Sequence, residues 1–437
     1  MLVAVFVLAV TSLPVPAQDH SGPRPLAGIN ADIVESIRSQ QQAAASGKRS
    51  VTLSDAVSIF LQQNLQIVAA RYDIETAEAE KLSARLWPNP EFSTTFEGLP
   101  TNFTGSFLND QEIFYGISQT FELGGKRHKR IDAANANAEL ARAQFETTLW
   151  QLTNDLKKRF YTVVLAGSLL NLAKENQKTF DDTLKHSGEL YQLGEISGLD
   201  LRRIEVEKLK FDTDIANSQR DYEIALRDLR VALGGNYQAM EIEVAGNLDY
   251  KPYQFSLADL RDKSLAARPD LKAAQISERA ADSAIRLQDV QRIPDLSVVG
   301  GIKRTAVDNT YSFGFGISLP VFDRNQTERA KALIQKKQAE NSQRLITNQI
   351  LGDVDKALAA VEIQKKRVEL YRTGVLTKVD DIQNLTEFSL KAGESSTLDL
   401  LDAIRTRRET LASYYQTLFD YQMSLLDLEL ATATPLQ

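Results

Sequence analysis

The sequence predicts an α+β membrane protein, a tandem repeat in which each copy carries two membrane-spanning β-strands on a pair of long antiparallel helices. Three observations support this fold class. The chain matches itself at an offset of about 200 residues, segments of period-two alternation occur twice in each copy, and proline-free helical stretches of about 65 residues follow them. The four strands per chain contribute to a β-barrel, and the long helices continue it as a coiled coil.

The composition narrows the possible functions. The chain has 437 residues, a net charge of −7 and no cysteine. This length is typical of two or three domains or of one elongated body of repeats. The acidic balance argues against a nucleic-acid-binding protein, and the lack of cysteine excludes disulfides, thiolate metal sites and a cysteine nucleophile. The three histidines are far apart in the sequence and form no ligand pattern, so neither a metal centre nor a cofactor is expected.

The N-terminus resembles an export signal. An apolar run, Met1–Val10, precedes small residues that end at Ala17, which predicts a signal peptide over residues 1–17 and an N-terminal extension over 18–50. A buried N-terminal helix is the alternative. No other stretch reaches the roughly 18 apolar residues that a spanning helix needs, so we expect an exported chain without a helical anchor.

Two similar copies organise the rest of the chain. Thr52–Gly98 aligns with Ser256–Ile302 without a gap, at an offset of 204. Further matches follow in the same order: Gly116–Ser118 with Gly316–Ser318, and Gly194-Glu195 with Gly393-Glu394. The predicted divisions are repeat 1 over 51–235, an equatorial linker over 236–255, repeat 2 over 256–431 and a C-terminal tail over 432–437.

Each copy begins and ends with helices. The first helical segment covers residues 53–86 or 257–291, and Pro269 is expected to divide the second of these. Long helices are predicted over about 126–191 and 326–391, followed by return helices to about 233 and 431. In the second long helix, apolar residues at alternating spacings of four and three predict a coiled-coil seam. Its members are Val354, Leu358, Val361, Val368, Val375, Val379 and Ile382.

Between these helices lie the predicted β-hairpins, at about 90–121 and 295–320. Phe92 and Phe96 alternate with polar residues, and Phe313 and Phe315 alternate with serine and glycine. This pattern is typical of strands with one face in lipid and one in a wet lumen. A soluble sheet with one buried face would show the same alternation.

Four strands cannot close a barrel within one chain. An open edge cannot lie in lipid, because its backbone N–H and C=O groups would have no partners. If the strands span a membrane, several chains must therefore share one barrel. The sequence contains no catalytic pattern such as H-E-x-x-H, G-x-S-x-G or a Walker A loop, so an enzyme is not expected.

Specific motifs accompany this duplicated layout. They are Trp87–Glu91, Ile117–Arg127, Ile317–Gln326 and two turns in which glycine is followed by Leu-Asp-Leu. With them the sequence resembles the TolC-like outer-membrane efflux proteins, and among these the CzcC-like heavy-metal (cobalt-zinc-cadmium) branch. The resemblance implies a homotrimer with a 12-stranded barrel in outer-membrane lipid and a helical tunnel in the periplasm. It also implies docking to a periplasmic adaptor (membrane fusion protein) and an inner-membrane RND pump.

The resemblance implies an exit duct of a tripartite RND-type efflux pump that exports heavy-metal cations. Drug or small-molecule efflux and type I secretion are alternatives within the same class. A soluble periplasmic coiled-coil scaffold is an alternative of a different class. The chain departs from many members of the family because it has no lipidated cysteine.

The resemblance also implies a gate at the periplasmic tip, formed by Asp200, Asp399 and Asp402. Serine three residues before Asp200 and before Asp399 allows these two acids to be helix caps only. The family's gate arginine and tyrosine are replaced by Ser395 and Leu390, so the gate must be built differently. The implied adaptor contacts are the tip residues Gly194, Glu195, Gly393 and Glu394.

A basic cluster follows the second predicted strand. Lys126, Arg127, Lys129 and Arg130 suit either lipid headgroups or a plain solvated face. Trp87 suits either an aromatic belt at the membrane or packing at the corner between helix and strand.

Overall fold

The computed structural model describes residues 49–97, 112–235, 241–305 and 308–435. The predicted signal peptide, and the extension before residue 49, lie outside the described residues. The described residues divide into two units, one that contains residues 49–50 and 241–243 and one that contains the others. The described part of the first unit contributes to two short paired strands, β1 (Arg49–Val51) and β4 (Ile242–Val244).

The second unit contains the long helices and the main sheet. Its helices are α1 (Leu53–Gln63), α2 (Leu65–Arg85), α3 (Lys126–Gln192), α4 (Gly198–Leu233), α5 (Leu257–Ala267), α6 (Pro269–Gln291), α7 (Gln326–Leu370), α8 (Leu376–Lys391) and α9 (Thr397–Thr432). Its strands are β2 (Glu91–Glu97), β3 (Glu112–Phe121), β5 (Leu296–Arg304) and β6 (Asn309–Ile317). A π-helical turn, Tyr371–Val375, joins α7 to α8.

The first helical segment of each copy is broken at the same place. Asn64 has extended backbone (φ −68°, ψ 124°), so the single helix predicted over 53–86 is wrong. Its side chain caps α2 and also donates 2.7 Å to the carbonyl of Ala232. Arg268, at the aligned position, has nearly the same dihedrals before Pro269, which confirms the predicted break there.

The first long helix matches its predicted extent, whereas a π-helical turn interrupts the second after residue 370. α3 has 67 residues without proline, which corresponds to about 100 Å at 1.5 Å per residue. Both long helices start from a residue in the left-handed region, Gly125 (φ 72°) and Asn325 (φ 61°), at positions that the alignment pairs between the copies. Glycine and asparagine tolerate this conformation best, so each copy uses a permitted residue to turn from strand to helix.

The sheet joins the two copies. Its strand order is β2-β3-β5-β6, and every neighbouring pair is antiparallel. The central pair, β3 with β5, links one hairpin to the other, with Ile117 opposite Gly300. Strands β2 and β6 are the edges and have a strand partner on one side only within this sheet.

The predicted seam forms the larger core. Val354, Val361 and Val368 are fully buried and pack against α9 and against the linker between the copies. Lys365 interrupts the seam because its Nζ donates 3.1 Å to the carbonyl of Tyr253 in that linker. Ile382 is 48% exposed, so the seam ends before it, contrary to the prediction.

A second apolar cluster lies near the tip and holds the two helical pairs together. Phe180 and Phe211 stack at 4.5 Å between ring centroids, within the first copy. Leu400 and Ile404 of α9 complete the cluster with Ile204 of α4. We call the pair α3 and α4 the first hairpin. The second hairpin consists of the end of α7, the π-turn, α8 and α9.

Candidate functional site

Large aromatic side chains project from one face of the sheet. Phe313 is 80% exposed, Phe315 is 77% exposed and Phe92 is 69% exposed. Water around so many neighbouring rings is unfavourable, since a fully buried phenylalanine gains about 1.5–3 kcal/mol. This face therefore favours contact with an apolar environment over contact with water.

The register extends this apolar face across all four strands. Phe92 pairs with Ile117, Ile117 pairs with Gly300, and Gly300 pairs with Phe313. Directly opposed residues point to the same side of a sheet, so the four strands share one surface. Its large apolar members are Phe92, Phe96, Ile113, Tyr115, Ile117, Phe121, Leu296, Val298, Ile302, Tyr311, Phe313, Phe315 and Ile317.

The opposite face carries mostly polar side chains and glycines, with Phe114 and Val299 as its apolar members. Ser93, Ser312 and several glycines lie on it. Glu97 and Glu112 face each other across β2 and β3, and Lys303 pairs with both carboxylates, 3.1 Å from Glu97. The lysine offsets the repulsion between two directly opposed acids. The face is suited to water, as the sequence predicts for a lumen.

The basic cluster after β3 fixes the sheet to the helices. Lys126 is buried and its Nζ lies 2.8 Å from Asp295, which precedes β5. Arg130 binds Glu122 and donates to the carbonyls of residues 84 and 86. Arg127 lies 5.1 Å from the ring centroid of Trp87. Lys126, Arg127 and Arg130 thus make internal contacts at the corner, while Lys129 pairs with Asp132 at the surface.

Gly124 is required at this corner. Its φ is +69°, and a side chain there would collide with Ile293, which lies between α6 and β5. A β-carbon is therefore excluded both by backbone strain and by space. The ELGGKR motif thus sets the angle at which β3 continues into α3.

The two tip turns have the same backbone. Gly194 (φ 77°) donates to the carbonyl of Tyr191, and Glu195 donates to that of Leu190. Gly393 (φ 74°) and Glu394 make the corresponding pair of bonds. This is the Schellman motif, which ends a helix through a glycine in the left-handed region. The structure thus presents the four predicted tip residues at the ends of α3 and α8.

Two of the three predicted gate acids make local bonds in the first turn of a helix. Ser396 and Asp399 form a complete capping box at the start of α9, with the Ser396 N–H 2.8 Å from the carboxylate. Hydrogen bonds from the Ser396 side chain and backbone lower the pKa of Asp399. Asp200 accepts 2.7 Å from the Ser197 hydroxyl and lies 3.5 Å from Arg203. Both carboxylates therefore have local structural partners.

Asp402 lies in a different environment. It lines a groove of about 540 Å³ between the starts of α4 and α9. Three arginines line the same groove, Arg202, Arg203 and Arg405, together with Glu207 and exposed leucines. The groove carries more positive than negative side chains, a feature that the three acids alone did not suggest. The sequence pattern of α4 and α9 does not indicate which of their arginines would line this groove together.

A cation also links the two hairpins. Arg408 of α9 lies 2.7 Å from Asp214 of α4, and its guanidinium is 5.2 Å from the ring centroid of Phe211. Its neighbour Arg407 binds Asp380 at 2.8 Å, within the second hairpin. We call the contact of Arg408 with Asp214 and Phe211 the inter-hairpin latch. Sequence reasoning missed it, because its partners are 194 residues apart in the chain.

The described residues include no group of three or more His, Cys, Asp or Glu side chains arranged to hold a metal ion. No described helix combines the length and apolarity needed for a membrane crossing.

Comparisons with known proteins extend these observations. Residues 56–235 and 260–434 match the family described as outer membrane efflux protein. The cobalt-zinc-cadmium resistance protein CzcC of Cupriavidus metallidurans is 26% identical, covering 82% of this chain and 84% of the relative.

Solved structures share the fold. The Campylobacter jejuni outer membrane channel CmeC superposes with a TM-score of 0.72 at 16% identity, over 87% of this chain and 85% of that one. The outer membrane protein VceC of Vibrio cholerae also gives a TM-score of 0.72, at 15% identity, over 88% of this chain and 97% of that one.

The predicted fold class is thus confirmed, with hairpins that form a barrel wall and long helices that extend it. The family match covers most of the chain in two blocks, and its members are channels of the outer membrane rather than enzymes. The chain belongs to the outer membrane efflux protein family, and as an efflux duct it resides in the bacterial outer membrane and extends into the periplasm.

Proposed function

We propose that three copies of this chain form one 12-stranded barrel and serve as the exit duct of a tripartite RND-type efflux pump. The observation that carries the proposal is the four-stranded sheet, which has one apolar face and two edges that pair with no other strand of the described residues. In lipid, the unpaired backbone groups of β2 and β6 each cost several kcal/mol. Pairing β6 of one copy with β2 of the next removes both edges.

The direction of the faces follows from their chemistry. The apolar face, with Phe92, Phe96, Phe313 and Phe315, lies against outer-membrane lipid. The serine and glycine face lies toward a water-filled lumen. Leu319, Val321 and Phe322 follow β6, and Phe322 is 93% exposed, so these residues extend the apolar surface to the periplasmic edge of the barrel.

Native mass spectrometry of the protein in detergent tests this assembly. We expect a trimer that survives mild heating, recovered from the outer-membrane fraction. A monomer in detergent would refute the shared barrel. Recovery of the protein in the soluble periplasmic fraction would favour the coiled-coil scaffold instead.

Heavy-metal cations are the proposed cargo. The support is the similarity to a cobalt-zinc-cadmium resistance protein over most of both chains. The test is growth of a host that contains the matching pump and adaptor but lacks their duct, on graded cobalt, zinc and cadmium. Restored metal tolerance supports the proposal. If the chain restores tolerance only to organic drugs, or supports secretion of a polypeptide, its cargo belongs to one of the alternative classes instead.

The proposed partners are a periplasmic adaptor and an inner-membrane RND pump. The adaptor contacts are assigned to the tip residues Gly194, Glu195, Gly393 and Glu394, which end the two hairpins in matching Schellman turns. Photo-crosslinkers placed at Glu195 and Glu394 should capture the adaptor, and the same probe at Glu139 on α3, far from the tip, should not. Equal capture at all three positions would refute the assignment.

The gate is assigned to the acids at the tip, Asp200, Asp399 and Asp402. Asp200 bonds to Ser197 and Arg203, and Asp399 bonds to Ser396, whereas the Asp402 carboxylate has neither a hydrogen bond nor an ion pair within the described part of the chain. Arginines of the same groove can pair with it when the helices rearrange. In a trimer the gate then consists of three Asp402 carboxylates surrounded by arginines, rather than of carboxylate rings alone.

A further inference from the structure

The second long helix is interrupted where the first is continuous. At Tyr371–Val375 the backbone forms a π-helical turn, in which the N–H of Leu376 donates to the carbonyl of Tyr371, five residues back. The aligned part of α3, Asn171–Asn176, lies inside an unbroken helix of 67 residues. Single π-turns are rare and weaken the regular ladder of hydrogen bonds. The two copies therefore differ in stiffness at this level.

The turn itself is loosely packed. None of its five residues is buried, although Val368 just before it is fully buried. Gly374 lies within the turn, and a side chain at that position would meet no atom within 4 Å. Packing therefore does not require this glycine. Glycine inside a helix costs about 1 kcal/mol relative to alanine, so the turn is locally destabilised.

The linker between the copies holds one side of the turn. The Tyr250 hydroxyl donates 2.7 Å to the carboxylate of Glu369, and the Arg372 guanidinium lies 5.0 Å from the Tyr250 ring centroid. The Tyr250 ring also packs 5.2 Å from that of Tyr421 on α9. Tyr250 thus contacts Glu369, just before the turn, and Arg372, within it. Through Tyr421 it connects both to the apolar core around Val354 and Val361.

These observations point to a single device. We propose that Tyr371–Val375 is a hinge, clamped by Tyr250, about which α8 and the beginning of α9 swing while α3 stays straight. The hinge follows from the backbone and packing of this chain. Its role in opening the duct rests on the proposed function, because it assigns the movement of the tip to the second hairpin.

Hydrogen–deuterium exchange on the full-length protein in detergent tests the hinge without requiring a pore or a cargo. Amides of residues 371–376 should exchange at least about tenfold faster than those of Asn171–Asn176. Gly374→Ala should slow exchange in the turn about fourfold, by the helix preference of alanine. Gly352→Ala is the matched control, since it lies in regular helix of α7 with equally open space, and it should leave exchange in the turn unchanged.

The clamp has its own variant. Tyr250→Phe keeps the ring over Arg372 but removes the bond to Glu369, so exchange in the turn should rise and the open time of single channels in planar bilayers should lengthen. Protection of residues 371–376 equal to that of α3, or equal responses to Gly374→Ala and Gly352→Ala, would overturn the hinge. A protein that shows the expected exchange but no conductance would refute the duct and leave the hinge in place.

Discussion

The inter-hairpin latch should hold the tip closed. If the second hairpin swings away from the first, the contact of Arg408 with Asp214 and with the Phe211 ring must break. The Arg408 side chain is 21% exposed and that of Asp214 is 44% exposed, so the ion pair is worth about 0.2–1 kcal/mol. The cation–π contact adds about 0.5–1 kcal/mol. The latch therefore contributes about 1–2 kcal/mol in each protomer.

Removing the latch should shift the gating equilibrium by a measurable amount. Because 1.4 kcal/mol is a factor of ten, Arg408→Ala should raise the ratio of open to closed forms about 5- to 30-fold per protomer. If the three protomers open together, the free energies add and the ratio rises about 10²- to 10⁴-fold. The assay is the open probability of single channels in planar lipid bilayers.

The neighbouring arginine provides the control. Arg407→Ala removes an ion pair of similar length to Asp380, but that pair lies within the second hairpin and need not break on opening. It should leave the open probability near that of the unmodified protein. Exchanging the charges, with Arg408→Asp and Asp214→Arg together, should restore part of the closed population.

Equal open probabilities for Arg408→Ala and Arg407→Ala would show that the hairpins do not separate along this contact. Failure of the exchanged pair to restore closing, with normal trimer yield, would attribute the effect to packing of the guanidinium rather than to its charge.

Three further predictions concern the sheet, the core and the tip. Phe313→Arg should block membrane assembly, since a lipid-facing arginine costs about 2–4 kcal/mol, whereas Ser312→Arg on the opposite face should assemble; equal assembly would show the faces are misassigned. Burial raises the pKa of Tyr421 from 10.0 to about 12, so stability from this group is full below pH 10 and falls between pH 10 and 12 as the unfolded form ionises first. Tyr421→Phe should reduce that pH dependence in thermal unfolding but not abolish it, because burial also raises the pKa of Tyr161, Tyr250 and Tyr414. By losing the 2.7 Å bond to the Lys251 carbonyl, it should also destabilise by about 1 kcal/mol. Asp402→Ala should leave the groove arginines unbalanced and move the reversal potential under a salt gradient toward anion selectivity; an unchanged potential would place Asp402 away from the bore.

The features that the sequence predicts well are those with a local cause. Strand alternation follows from period-two side-chain geometry, so the exposed faces of Phe92 and Phe313 could be assigned before the structure. The turns at Gly194 and Gly393 follow from the glycine that a left-handed helix end needs. The acid at each N3 position was recognised as a potential cap for the same reason.

Other features depend on partners far along the chain. The helix break at Asn64 is stabilised by a hydrogen bond from its side chain to the carbonyl of Ala232, 168 residues away. The helix propensity of asparagine alone does not predict a break there. The gap-free alignment of Asn64 with Arg268, next to Pro269, is a signal for this break that the first copy alone does not contain. The π-turn has no comparable signal, because Gly374 is a single helix-interior glycine and Gly352 in the same helix causes no interruption.

The two copies share backbone geometry more closely than they share the side chains that maintain it. Gly125 and Asn325 both start a long helix from the left-handed region, yet one relies on glycine and the other on an asparagine that also bonds to Gln288. Because the shared parts fix the sheet and the starts of the helices, the barrel can be nearly symmetric. The differences lie further along the helices toward the tip, where the second copy has a π-turn clamped by Tyr250 of the linker and the first copy has a continuous helix. A duct built this way can keep its first hairpin as a fixed wall and place the movement that opens the tip in the second.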